Sequence, residues 1–246
     1  MFGLETIEVL MLVLAAVIVG FSKAGIQGAT IPAVAMLALI FGGKESAGIM
    51  LPMLIVGDLV AIFKYGKQGN IRDVVKLMPS AIVGIVLGSM IGNRMNDQQF
   101  KFILGIIVLI CLLLLVVRHF QKQVVELPDN RLLHWLVGVV SGFSSMVGNA
   151  SGPIFNVYIL AQNLKKESMI GTTAWFFFLM NLLKVPFHIF SWGTITMDNM
   201  KYTLFSVPFI GIGALIGIWI IRHISETTYK YVIMVMTAIT AIRLLL

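Results

Sequence analysis

Charge is scarce in this chain. Asp, Glu, Lys and Arg make up 12% of its 246 residues, against 59% hydrophobic ones. A soluble domain of this length needs roughly twice that charged share to cover its surface. Mean hydropathy is +0.97, and apolar stretches such as residues 103–117 and 204–221 are separated by only short polar gaps. Lipid can solvate such a surface; water cannot. Cysteine is scarcer still. Cys111 stands alone, which excludes an internal disulfide and a thiolate metal site. Also missing are a His-Glu-x-x-His zinc motif, a Gly-x-Ser-x-Gly elbow and a phosphate-loop lysine motif. Asp58 is the only acidic residue that falls inside an apolar span, which argues against a two-aspartate intramembrane protease. These absences point away from an enzyme, a cofactor, a metal or a nucleotide-driven pump. The net charge of +7 would suggest nucleic acid in a soluble protein; here it reads as positive-inside bias, with no nucleic-acid partner. No cleavable leader is visible, because the first apolar stretch (residues 9–20) follows Glu5 and Glu8 and no small-x-small site comes after it.

What is present is a duplication. Gly20-Phe21-Ser22 recurs as Gly142-Phe143-Ser144, and Lys44-Glu45-Ser46 as Lys166-Glu167-Ser168, both 122 residues on. Pro79, Gly84 and Gly88 match Pro208, Gly213 and Gly217 at an offset of 129, which Phe100-Lys101 and Tyr229-Lys230 keep. Collinear matches of this kind divide the chain into a first membrane repeat (1–117), a polar cytoplasmic linker (118–130) and a second repeat (131–246).

Each half holds five apolar elements. They are expected near 7–22, 29–42, 47–65, 74–93 and 100–117, then near 132–146, 152–164, 168–191, 200–221 and 227–245. The third to fifth approach the ~20 residues that a helical crossing needs. The first two are shorter and are divided by Gly- and Pro-containing segments at 22–32 and 144–153. Matching loops differ in charge: Lys64, Lys67, Arg72 and Lys76 follow the third element of the first half, but only Asp198 and Lys201 follow its counterpart. Inverting one half against the other, with both termini outside, gathers most Lys and Arg on the cytoplasmic side. The expected fold is therefore an all-α polytopic membrane protein of two inverted-topology repeats. Each repeat has an interrupted helical hairpin plus three transmembrane helices.

Interrupted helices at equivalent positions of such repeats point to a binding site near the midplane. Non-helical backbone is tolerated at that depth only where protein or a water-filled cavity supplies its partners. Helix N-termini near residues 29–31 and 151–154 would present free N–H groups and a positive dipole end to an anion. Gly25, Gly28 and Gly152 would let backbone approach a ligand, or would merely let helices cross closely. Polar residues in apolar surroundings complete the candidate set: Lys23, Gln27 and Thr30 at the first break, Asn149 and Ser151 at the second, and Asn181 and Lys184 on one face of the matching third helix. Asp58 is a countercharge, a protonation site or a structural ion-pair partner of a lysine. His188 extends the coupling candidates, or hydrogen-bonds a carbonyl freed by Pro186. The aromatic run at 175–178 is expected to face lipid or core.

These residues resemble the TauE/SafE sulfite exporter family, also known as the sulfonate uptake permeases. The resemblance rests on Gly20-Phe21-Ser22-Lys23-Ala24-Gly25 through Gly28, Leu51-Pro52 with Gly57-Asp58, and Pro79 through Gly88. In the second half it rests on Gly148-Asn149-Ala150-Ser151-Gly152-Pro153, Gly171-Thr172 and Asn181 through Lys184. Lys23, Ala24 and Gln27 stand where the family can carry consecutive glycines. The resemblance implies a multi-pass protein of the bacterial cytoplasmic (inner) membrane that moves sulfite, an organosulfonate or a related carboxylic anion without ATP. Protons or another ion are the candidate coupling partners, and a homo-oligomer stays open. The alternative is a non-transporting membrane assembly or redox-maturation factor.

Overall fold

A helix satisfies all the peptide groups of an apolar segment within that segment, and the described parts of the computed structural model are helices joined by short turns. The described residues are 4–26, 29–91, 131–149, 151–162 and 164–245. The expected fifth element of the first half, the linker, Gln27, Gly28 and Cys111 lie outside them. In chain order the helices are α1 (Thr6–Ala24), α2 (Ile31–Phe41), α3 (Gly43–Tyr65), α4 (Ile71–Ile91), α5 (Arg131–Gly148), α6 (Gly152–Ala161), α7 (Lys166–Pro186), α8 (Met197–His223) and α9 (Glu226–Leu245). Among the described residues, α1, α3, α4, α7 and α8, with the short turns that extend α3 and α7, are long and apolar enough to cross a membrane.

Local chemistry sets several boundaries. Glu5 and Glu8 close a reciprocal cap at the start of α1, the Glu5 N–H donating to Glu8 Oε2 at 2.8 Å. This helix runs through Lys23 and Ala24, so α1 is 19 residues long and joins the candidate spans, longer than the pattern at 7–22 suggests. Lys23 sits on its last turn rather than in the break. Pro32 and Pro153 fall in the first turns of α2 and α6, where the missing N–H would have had no intrahelical partner. After Pro186 the backbone widens into one π turn, Phe187–Ser191, which the Trp192 N–H closes by donating to the Phe187 carbonyl at 2.9 Å.

Glycine decides how the helices cross. A Cβ on Gly213 of α8 would fall 1.9 Å from the carbonyl oxygen of Val17 on α1, and one on Gly20 would fall 1.9 Å from that of Ile210. The α4–α5 crossing repeats the arrangement: a Cβ on Gly84 would lie 2.1 Å from Val139 O, and one on Gly142 2.1 Å from Ala81 O. These four contacts correspond at the offsets of 122 and 129 read from the sequence. Both crossings are parallel, since Gly25 meets Gly217 beyond the Val17–Gly213 contact, and Gly88 meets Met146 beyond Ala81–Gly142. In contrast, α3 and α7 are antiparallel. Gly48 lies against Thr194, Asp58 against Asn181, and the Tyr65 carbonyl against Gly171. One apolar cluster joins α1, α2, α3 and α8 around Leu12, Leu37, Met53 and Ile210. A second joins α4, α6, α7 and α9 around Leu77, Phe155, Phe176 and Ile233.

Candidate functional site

Two helix breaks and the middles of two long helices meet at one cavity of about 50 Å³. Its lining includes Lys23 at the end of α1, Thr30 before α2, Asn149 and Ser151 in the second break, and Gly152 at the start of α6. Asp58 comes from α3 and Asn181 from α7. Seven of the twelve residues singled out from sequence are thus brought together: Lys23, Thr30, Asp58, Asn149, Ser151, Gly152 and Asn181.

Lys23, Asp58 and Asn181 are joined to one another. Lys23 Nζ lies 2.8 Å from Asp58 Oδ1, with the lysine side chain 11% and the aspartate 1% exposed. Asn181 Nδ2 donates to the other carboxylate oxygen at 2.7 Å. Lys23 also sits 4.6 Å from the centre of the Phe177 ring, a cation–π distance. Of the alternatives open for Asp58, the buried ion pair is therefore present, and it is made with Lys23. Thr30 and Ser151 precede α2 and α6 without using their hydroxyls as caps. A Cβ on Gly152 would meet nothing within 4 Å, so space, not helix crossing, surrounds that glycine.

Lys184 and His188 belong to neighbouring arrangements. Fully buried, Lys184 donates to Ser145 O at 3.2 Å and to Asn149 Oδ1 at 2.7 Å. Asn149 has φ 51°, a left-handed conformation that asparagine tolerates better than most residues, so Lys184 holds the turn of the second break. His188 Nδ1 lies 2.8 Å from Thr194 Oγ1, and the His188 carbonyl accepts from Thr194 N at 2.8 Å. It closes the turn after α7. Gly25 does not line the cavity; it packs on Gly217, where a Cβ would come within 2.8 Å of the partner Cα. Gln27 and Gly28 lie outside the described residues.

Ser22, Met50, Leu54, Ser145, Thr173, Ala174 and Phe177 also line the cavity and were not singled out from sequence. The duplication held a signal for several of them. Ser145 is Lys23 carried forward by 122, while Thr173 and Phe177 are Met50 and Leu54 carried forward by 123. The lining accordingly contains the matched pairs Lys23/Ser145, Thr30/Gly152, Met50/Thr173, Leu54/Phe177 and Asp58/Asn181. Phe177 departs from the expectation for the aromatic run. Its neighbours fit the core reading: Phe176 stacks on Phe155 at 3.9 Å, and Trp175 Nε1 donates to Gly66 O at 3.1 Å.

The family model for the sulfite exporter TauE/SafE matches residues 12–244, nearly the whole chain, including both breaks and the Asp58–Asn181 contact. The chain belongs to the TauE/SafE sulfite exporter family. Comparison with curated proteins and with solved structures finds no match. TauE/SafE membership together with the candidate spans makes this an integral, multi-pass membrane protein of a transporter family, with a small anion as the class of substrate.

Proposed function

We propose that the cavity between the two breaks is the substrate site of a secondary transporter for a compact sulfur-containing or carboxylic anion, with Lys23 as its principal charge. The observation that carries this reading is the Lys23–Asp58 pair at 2.8 Å, placed where both interrupted hairpins meet α3 and α7. A buried lysine already matched by a carboxylate has little attraction left for a second anion, unless that carboxylate is neutralised. A proton on Asp58 releases Lys23 to the substrate, which couples anion and proton movement. Thr30, Ser151, Asn149 and the first N–H groups of α2 and α6 supply further donors. The cavity volume suits a small anion, since sites for drug-sized ligands run to roughly 300–1,000 Å³.

The antiparallel packing of α3 and α7, which occupy matching places in the two halves, supports reading the halves as inverted repeats in the membrane plane. On this reading the end bearing Lys64, Lys67, Arg72 and Arg131 is cytoplasmic by its positive charge, in a bacterial inner membrane, with both termini outside.

The test is anion flux in proteoliposomes, offering sulfite, sulfoacetate, taurine and small carboxylates across a pH series. An anion transported by the parent should move more slowly as pH rises, because fewer Asp58 side chains carry a proton. Asp58→Asn should remove that pH dependence while substrate still protects the protein against heat. Flux that is insensitive to pH in the parent refutes the proton coupling. Flux unchanged in Lys23→Met refutes the site.

A further inference from the structure

A second cavity lies apart from the first, at the end of the bundle where α4 and α5 both begin. It is an open cleft of about 510 Å³ lined by Lys76, Pro79, Ser80, Arg131, His134 and Trp135. The parallel crossing of α4 and α5 creates it. Gly138 sits against Leu77 and Ser80, which sets the first turns of α4 and α5 level. Two helix N-termini therefore share this end and add partial positive charge to the side chains. Lys76 reaches Asp73 at 3.1 Å on its own helix, and the His134 ring meets Tyr158 edge-on at 5.8 Å.

The duplication supplies a control within the molecule. At the α1–α8 crossing, the places of Arg131, His134, Lys76 and Ser80 are held by Val9, Leu12, Phe205 and Phe209, at the same offsets of 122 and 129. Leu12 is fully buried there, and Phe205 and Phe209 pack against its cluster with ring centres 5.3 Å apart. Among the described residues, the first crossing is filled by apolar side chains, whereas the second holds a cleft whose lining includes Lys76, Arg131 and His134. Setting topology requires cations in loops, but it does not require a cleft that collects them.

The surroundings indicate the kind of anion. Leu132, Leu136, Val75 and Trp135 are 61%, 48%, 55% and 52% exposed beside the cleft. A soluble ion gains nothing from that apolar surface, whereas acyl chains do, and tryptophan favours the headgroup level of a bilayer. We propose that this cleft binds the phosphate headgroup of an anionic phospholipid, held by Arg131 and Lys76, with the acyl chains along the apolar flanks of α4 and α5.

Lipid quenching tests it. The full chain is reconstituted in phosphatidylcholine vesicles containing a minor share of phosphatidylglycerol, with brominated acyl chains on one lipid or the other. The Trp135 signal is the difference between the parent and Trp135→Phe. Brominated phosphatidylglycerol should quench that signal several-fold more per mole than brominated phosphatidylcholine. Arg131→Gln with Lys76→Gln should abolish the preference, whereas Arg222→Gln should leave it intact. Equal quenching by both lipids, or a preference that survives the double variant, overturns the proposal. Thermal unfolding in detergent separates the sources. If inorganic phosphate stabilises the parent as strongly as phosphatidylglycerol does, and the double variant loses that effect, the cleft is a site for soluble phosphate and the lipid assignment fails. Should the double variant not fold, Arg131→Gln alone carries the quenching test, judged by the same outcomes.

Discussion

Asn181 donates a 2.7 Å hydrogen bond to Asp58, and the two residues stand 123 positions apart, the same displacement that relates Gly48 to Gly171. The polar centre of the molecule is thus a contact between matching positions of its two halves, made unequal by chemistry. One half supplies the carboxylate, and the other an amide that can only solvate it. Lys23 on one oxygen and Asn181 on the other bring two partners to a group with 1% exposure. A buried carboxylate requires such company.

The pair can be measured by its asymmetry. Removing one member leaves the other charged and buried, so Lys23→Met or Asp58→Leu alone should destabilise the protein by roughly 3–5 kcal/mol. The double variant should recover most of that loss. Thermal unfolding in detergent of the parent, both singles and the double checks it. If the double variant is as unstable as the two single losses added together, the residues are not coupled.

The glycine crossings predict a sharp contrast on one helix. Gly213→Ala places a Cβ against the Val17 carbonyl, while the same change at Gly211 meets nothing within 4 Å. Gly213→Ala should therefore destabilise by about 1–3 kcal/mol, the usual range for overpacking. Gly211→Ala should be neutral or slightly stabilising, given the helix propensity of alanine. Similar unfolding temperatures for the two variants would contradict the close α1–α8 contact.

Asn149 does two jobs that substitution can separate. Its φ of 51° favours glycine or asparagine, and its Oδ1 accepts from Lys184 at 2.7 Å. Asn149→Gly keeps the backbone and loses the acceptor; Asn149→Ala loses both. The alanine variant should be the less stable by about 1 kcal/mol, the local cost of a left-handed residue with a Cβ. Adding Lys184→Met to Asn149→Gly should restore stability, because the buried ammonium that lost its Asn149 acceptor is then gone. Stability unaffected by Lys184→Met in both backgrounds would remove the lysine from the support of the break.

Orientation in the membrane is open to labelling. In a Cys111→Ser background, a cysteine at Lys67 should resist an impermeant thiol reagent in intact cells, while one at Asp198 should react. The two positions follow α3 and α7, which the inverted arrangement sends to opposite sides. Reaction of both from the same side would exclude it.

The sequence by itself determined the solvent, the duplication and the places where helices are interrupted. Each of these is a local or periodic property: low charge, a recurring offset, and Gly- and Pro-bearing segments inside apolar runs. It also named most of the polar residues at the cavity, because a polar group within an apolar span stands out wherever it falls. Which of them meet was decided only by the tertiary structure. Lys23 and Lys184 are equivalent on a charge inventory, yet one lines the cavity against Asp58 while the other is buried on Asn149 and Ser145. Gly25 and Gly152 read alike as break glycines, yet one is pressed on Gly217 and the other borders open space. Phe177 is indistinguishable in sequence from Phe176, although only the former covers Lys23. Periodicity marks which residues are unusual for their surroundings. Pairing depends on distances between segments more than a hundred residues apart, and those are set by the close glycine crossings and the antiparallel contact of α3 with α7.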